Sequence, residues 1–184
     1  MPSSTTKAAP ETGPPHGRDE WGTPDALFDW LHKMFKFTVD VCATKANTKC
    51  PLFITPEADG LEMNWVGTCW CNPPYSRGQV KLWVEKAHNE AVCRNVTTVM
   101  LLNYVLDAEY LQKYTSVIDR AIVLSPRLQF VPPPGITPST NARGQMLLVF
   151  TPWAARGLFQ DQGLNLHHMD LAWLFEDNDN KEIT

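Results

Sequence analysis

Pro73-Pro74 constrains its stretch of chain more tightly than any other pair in the sequence. Each proline ring pins φ near about −65° and removes a backbone N–H, so the pair suits neither a helix interior nor a central strand. The residue before each proline is pushed out of the α region, so Asn72 and Pro73 are extended. The run follows Thr68-Cys69-Trp70-Cys71, which reads as a buried strand. It precedes a Ser76-Arg77-Gly78 turn and then a helical pattern. A stiff loop leaving a strand end thus presents the Asn72 amide oxygen, a backbone carbonyl and the Tyr75 ring together. Two acceptors match the two hydrogens of an exocyclic amine, and the ring offers a stacking face for the base that carries it.

The flanking pattern alternates. Thr23 has the chemistry of an N-cap and Pro24 that of a first helical residue, which predicts a helix over 25–35. Leu27, Phe28, Leu31, Met34 and Phe35 fall at helical spacing there. Phe37-Thr38-Val39-Asp40-Val41 reads as a strand ending at Cys42-Ala43, and 44–67 as loop with a short strand or a turn of helix. Val80, Trp83, Val84, Ala87 and Ala91 mark a second helix, and 96–103 a fully buried strand of parallel type. A third helix over 107–114 and a strand over 121–124 follow. Residues 127–131 and 144–151 read as a pair of β segments that flank a polar, Pro-rich loop at 132–143. Such alternation predicts an α/β fold with a mainly parallel sheet, whose ligands bind beyond the carboxyl ends of its strands. Asp40 and Asn72 both lie at such ends.

A chain of 184 residues suits one domain, and 43 % hydrophobic with 20 % charged residues is ordinary for a globular protein. No run approaches the ~18 apolar residues of a membrane span, and the start lacks a signal peptide's apolar core. Five cysteines without a C-x-x-C pair point away from disulfide and zinc frameworks and toward a reducing, intracellular compartment. His167-His168 has no acidic or cysteine companions at ligand spacing, so no metal site is expected. The net charge of −4 argues only weakly against a nucleic-acid partner. Much of the acid sits at the two ends, and binding depends on a local basic strip.

The Asn-Pro-Pro-Tyr run resembles motif IV of the amino-methyltransferases, which move a methyl group from S-adenosylmethionine (SAM) to a planar nitrogen. Over roughly residues 20–151 the chain resembles the small phage-type DNA N-6-adenine methyltransferases. The matching elements begin with Trp21-x-Thr23-Pro24, the run from Phe37 to Ala43, Asn47, Cys50 and Asp59-x-Leu61 with Trp65. They continue with the run from Trp70 to Ser76, Trp83-Val84 and Arg127-Leu128-Gln129-Phe130. The resemblance implies a compact, Rossmann-like SAM-dependent methyltransferase fold acting on adenine N6 of a base flipped out of DNA. Residues 1–18, rich in Pro, Ser, Thr and Gly, read by composition as a disordered tail, which leaves a catalytic domain at 19–152 and a C-terminal extension with an acidic tail at 153–184. The enzyme would work inside the cell with DNA: the cytoplasm or nucleoid of a bacterial host, or a nucleus. Catalysis would fall to Asn72, Pro73, Pro74 and Tyr75. Cofactor contact would fall to Trp21, Thr23, Pro24, Asp40, Ala43, Asn47, Asp59 and Asn72, with Asp59 accepting from the amino group of the SAM adenine. DNA contact would fall to Tyr75, Arg127 and Arg143. One departure stands out: Asp40-Val41-Cys42-Ala43 contains no glycine where the wider methyltransferase pattern has a glycine-rich loop, and only 31 residues separate Asp40 from Asn72.

Plainer readings stand beside these. Trp21, Thr23 and Pro24 also make a capped helix start with a core aromatic. Asp40 and Asp59 also suit turns, and Asn47 suits any loop. Arg127 is equally a surface arginine, and Lys81, Lys86 and Arg94 read as the solvated face of the second helix. The loop alone also fits cytosine N4, an RNA adenine or a protein glutamine amide. A catalytically silent SAM-fold subunit that binds nucleic acid is the reading from another class. With no separate recognition domain, a short target, modest specificity or dimerisation is expected.

Overall fold

The computed structural model describes residues 21–75, 78–104, 108–114, 117–133, 135–137, 143–152 and 165–175. The tail at 1–18, the Ser76-Arg77 part of the expected turn, most of the 132–143 loop beyond Thr137 and the acidic end lie outside those residues. In chain order the elements are α1 (Asp25–Phe35), β1 (Val39–Asp40), β2 (Leu52–Phe53), β3 (Thr68–Cys71), α2 (Gln79–Arg94) and β4 (Thr97–Asn103). After them come α3 (Glu109–Gln112), β5 (Ile118–Ser125), β6 (Gln145–Phe150), β7 (Asn165–Asp170) and α4 (Ala172–Phe175).

One seven-stranded sheet runs in the order β2-β1-β3-β4-β6-β5-β7. β2, β1, β3 and β4 are parallel neighbours, β6 runs antiparallel between β4 and β5, and β7 is parallel to β5. The sheet is mainly parallel, as the alternation predicts. β4 and β6 are covered on both faces, which is why both read as nearly unbroken apolar runs. The period of two sorts their side chains. Met100 and Leu102 join α2 residues Trp83, Val84, Ala87 and Ala91 on one face. Val99 and Leu101 join α1 residues Leu27, Phe28 and Leu31 on the other.

Several expectations are corrected. The first helix spans 25–35 as expected, but its cap differs: Pro24, not Thr23, is the N-cap, its carbonyl accepting the Phe28 N–H at 3.1 Å, and no side-chain hydrogen bond caps the helix among the described residues. The Thr23 hydroxyl is buried without a hydrogen-bond partner among the described residues. Of the two β segments expected at 127–131 and 144–151, the second is β6, whereas 127–131 forms no strand of the sheet, both edges of β6 being occupied by β4 and β5. Among the described residues Val131 alone makes a bridge, and its partner is Gly22. The third helix is a single turn among the described residues. β7 was not anticipated. It sits at the sheet edge with His167 and His168 exposed, and such a strand carries too little apolar pattern to be read.

A pair of indoles holds the segment between β2 and β3. Trp65 stacks on Trp83 with centroids 6.1 Å apart, and its Nε1–H donates to the Gly60 carbonyl at 2.8 Å. A methyl group at position 60 would stand 2.7 Å from Trp83 Cη2 and inside van der Waals contact of the Val41 carbonyl, which cannot retreat from the end of β1. Gly60→Ala is therefore expected to lower the unfolding free energy by about 2 kcal/mol or more in urea titrations. Gly22→Ala, whose methyl would meet Val131 Cβ at an ordinary 3.7 Å, should change it by less than about 1 kcal/mol. Equal effects of the two substitutions would contradict this packing.

Candidate active site

A cleft of about 270 Å³ opens beyond the carboxyl ends of β1 and β3. Val41, Cys42, Ala43 and Thr44 form one side, Ile54, Thr55, Pro56, Asp59 and Gly60 another, and Pro74 and Trp83 close it. A second cavity of about 410 Å³ shares Thr44 and Asn47 with the first and extends it to Gly22, Lys49, Val131 and Pro132-Pro133. Ala43, Asn47, Asp59 and Pro74, four of the residues singled out from the sequence, thus line one cleft.

Asp40 lies behind that cleft and is not part of its lining. Its carboxylate is buried and accepts the backbone N–H of Cys42 at 3.3 Å and of Lys49 at 3.0 Å. Burial raises its pKa to about 6, against the pull of those two N–H groups and the Lys49 charge. Asn47 does a similar job, its Oδ1 accepting the Thr44 N–H at 2.7 Å and the Thr44 hydroxyl at 3.0 Å. The loop is tied across to β2 by Ala43 N–H to Ile54 O at 3.2 Å and Ile54 N–H to Asp40 O at 2.9 Å. Side-chain acceptors therefore close this turn, and no residue from 41 to 50 takes a positive φ. With no left-handed turn in this loop, its backbone conformation calls for no glycine.

Asp59 has φ of 55°, and its Oδ1 accepts the Leu61 N–H at 2.9 Å. This Asx-type turn carries Gly60 into its tight seat. Asp59 itself is exposed at the cleft wall, and among the described residues its second oxygen accepts no hydrogen bond.

The Asn-Pro-Pro-Tyr loop is anchored at both ends. Asn72 Nδ2 donates to the Trp21 carbonyl at 3.2 Å, joining the segment before α1 to the end of β3. The Tyr75 hydroxyl lies 2.9 Å from the Leu101 carbonyl on β4 and 3.2 Å from Asn72 Oδ1. A phenol has one hydrogen to give, so the shorter bond to Leu101 leaves Asn72 Oδ1 with acceptor capacity. Burial, then the nearby Cys71 and Cys42 thiols, hold the Tyr75 pKa well above its ordinary value, so the hydroxyl stays protonated. The Tyr75 ring meets Phe130 edge-on, with centroids 6.2 Å apart.

Two further residues of this neighbourhood were not singled out from the sequence. Phe130 walls Tyr75, and its only signal was the Arg-Leu-Gln-Phe run. Gln145 is fully buried; its Oε1 accepts the Leu128 N–H at 2.9 Å and its Nε2 donates to the Arg143 carbonyl. It read as a strand residue, and nothing in the sequence marked its amide as a link between two loops. The exposed Arg127 and Arg143 stand on the two segments that Gln145 joins. No cluster of three metal-ligating side chains occurs among the described residues.

The raised Asp40 pKa has a measurable sign. Its folded value of about 6 lies above the ordinary 3.8, so the folded protein holds this proton more tightly than the unfolded chain. The contribution is therefore fully favourable below about pH 4 and is lost as pH rises through about 6. Between pH 4 and 7 the wild type should lose on the order of 2 kcal/mol relative to Asp40→Asn, measured by urea denaturation at each pH. A pH-independent difference between the two proteins would contradict the assignment.

Comparison with known proteins bears on this arrangement. The model of the DNA N-6-adenine-methyltransferase (Dam) family matches residues 11–169. The DNA N-6-adenine-methyltransferase of Haemophilus phage HP1 is 34 % identical over 157 residues, covering 83 % of this chain and 90 % of its own. Among solved structures, a Listeria monocytogenes protein described as a class I S-adenosylmethionine-dependent methyltransferase aligns with a TM-score of 0.53. That alignment spans 84 % of this chain and 67 % of the other at 12 % identity, which speaks for the fold. The chain belongs to the DNA N-6-adenine-methyltransferase (Dam) family.

Proposed function

We propose that this protein transfers a methyl group from SAM to the N6 atom of an adenine flipped out of DNA, in the cleft between the β1 and β3 loops. Family membership carries the reaction class. The observation that carries the site is the Asn72–Tyr75 loop, anchored by Trp21 and Leu101 beside a cleft walled by Asp59.

The lining suits the cofactor. Ile54 and Pro74 offer apolar surface for a flat adenine, and Asp59 has a carboxylate oxygen for an amino group. The adjoining cavity toward Gly22 and Lys49 gives room for the amino-acid part of an elongated ligand. Asp40 acts from behind, holding the 41–49 loop in shape. When bound, SAM supplies an electrophilic methyl on its sulfonium, so no metal is required for the transfer.

The target amine is a weak nucleophile because its lone pair is delocalised into the purine ring. In this reading Asn72 Oδ1 and the Pro73 carbonyl accept its two hydrogens, which draws the nitrogen toward tetrahedral geometry and turns its lone pair out of the ring plane. This is catalysis by orientation and fixed dipoles. Extruding the base costs a few kcal/mol, and stacking on Tyr75, with Phe130 at its edge, offsets about 1–3 kcal/mol of that. Arg127 and Arg143 hold phosphates of the flanking strand. No helix among the described residues is long and apolar enough to cross a membrane, and the enzyme works wherever its DNA substrate is kept.

Asn72→Ala should lower kcat by roughly 10²–10³ while calorimetric SAM affinity falls far less. Tyr75→Phe keeps the ring but leaves the Leu101 carbonyl unpaired, so a loss of about tenfold or less is expected. Tyr75→Ala removes the stacking face as well and should lose considerably more. A near-normal rate for Asn72→Ala would remove this loop from the active site. Equal loss in the Phe and Ala variants would make the hydroxyl, and not the ring, the group that matters.

The two arginines make a separate expectation. Arg127→Ala with Arg143→Ala should weaken DNA binding about equally for all sequences and flatten the slope of log K against log salt by roughly one phosphate's worth each. An unchanged slope would exclude the phosphate role.

A further inference from the structure

The carboxyl end of β4 carries a tyrosine that the site above does not use. Tyr104 directly follows Asn103, the last residue of β4, and is 50 % exposed. Its backbone is nonetheless well held. The Tyr104 N–H donates to the Gly144 carbonyl at 2.8 Å, next to the Asn103–Gln145 register pair of β4 and β6. A Cβ at Gly144 would lie 3.8 Å from Tyr104 Cβ, so the side chain is rooted against the segment that carries Arg143.

Three residues earlier on the same strand, Leu101 accepts the Tyr75 hydroxyl. At about 3.3 Å per residue, Tyr104 stands about 10 Å from the carbonyl that anchors the base-stacking ring. A base rotated out about its backbone stays tied to the strand beside the gap it leaves, so a ring at this distance from its pocket can reach that gap. Tyr75 and Phe130 are partly buried against each other as walls of the site, whereas Tyr104 belongs to neither buried core. The exposed Arg143 beside it has the charge to meet phosphate.

We propose that Tyr104 is the wedge of this enzyme: its ring enters the duplex and fills the stacking slot left by the adenine that the Asn72–Tyr75 loop receives. The inference rests on the reading of the chain as a methyltransferase that flips its target. Extrusion breaks stacking on both sides of the base, and an aromatic ring replaces part of it without regard to sequence. A tyrosine suits the task because its body is apolar and its tip tolerates water, so it can be exposed before DNA arrives. A backbone hydrogen-bonded to a neighbouring strand segment gives the ring a fixed point from which to act.

The test compares wild type, Tyr104→Ala, Tyr104→Leu and Tyr104→Phe on three DNAs: a duplex with the target adenine paired to thymine, the same duplex with an abasic site opposite the target, and the single strand. Tyr104→Ala and Tyr104→Leu should lower kcat/KM at least tenfold on the paired duplex but no more than about twofold on the other two, where extrusion costs least. Tyr104→Phe should stay within about twofold of wild type on all three, and SAM affinity should not change. Equal losses on paired and abasic duplexes, or no loss in Tyr104→Leu on the paired duplex, would overturn the proposal. Failure of the wild type to methylate any of the three would instead sink the functional reading beneath it.

Discussion

The parallel pairing of β1 with β3 is the constraint on which the rest depends. Register pairs Val39–Cys69 and Asp40–Trp70 bring two strand ends out at one level. The loop that follows Asp40 and the loop that follows Cys71 therefore face each other across the width of one strand spacing, about 4.8 Å. Cys42 and Ala43 line the cleft from one loop and Pro74 from the other. Without that pairing, the Asn-Pro-Pro-Tyr loop and the turn closed by Asp40 would not border one cleft. The strands are short, two and four residues, so the pairing is secured from outside the sheet by Phe37 against Trp70 and by Trp65 against Trp83.

Compression shapes the loop after β1. With so few residues between β1 and β3, a long glycine-rich loop followed by a full helix has no room. A buried carboxylate and an asparagine close the turn instead, each accepting two hydrogen bonds. The arrangement puts a titratable group where burial opposes its ionisation. It also leaves the backbone from 41 to 47 in ordinary conformations, so small residues such as Ala43 serve where glycine is otherwise needed.

Much of this was legible in the sequence, for physical reasons that differ by element. α1 was readable because its apolar residues fall at regular helical spacing from Leu27 to Phe35 and Thr23-Pro24 mark its start. β3 and β4 were readable because strands covered on both faces are almost wholly apolar. The Pro-Pro loop was readable because prolines leave few conformations open. β7 was hidden because an edge strand with an exposed face has no periodic signature. The segment at 127–131 was misread because strand-like composition says nothing about whether a partner edge is vacant. Asp40 was noticed for its position, yet its role as a loop closure comes from two N–H groups, one of them nine residues away. Gln145 and Phe130 were not singled out, because what they do depends on which loops lie beside them.

The central claim is that a single built-in loop presents an adenine N6 in DNA to a methyl donor. Its most direct test incubates the purified protein with methyl-labelled SAM and, separately, DNA, RNA and protein, followed by mass spectrometry of the released nucleosides and peptides. Label recovered as N6-methyladenine from DNA is the expected result. Label confined to cytosine, to RNA or to a protein side chain, or no transfer to DNA at all, would contradict it.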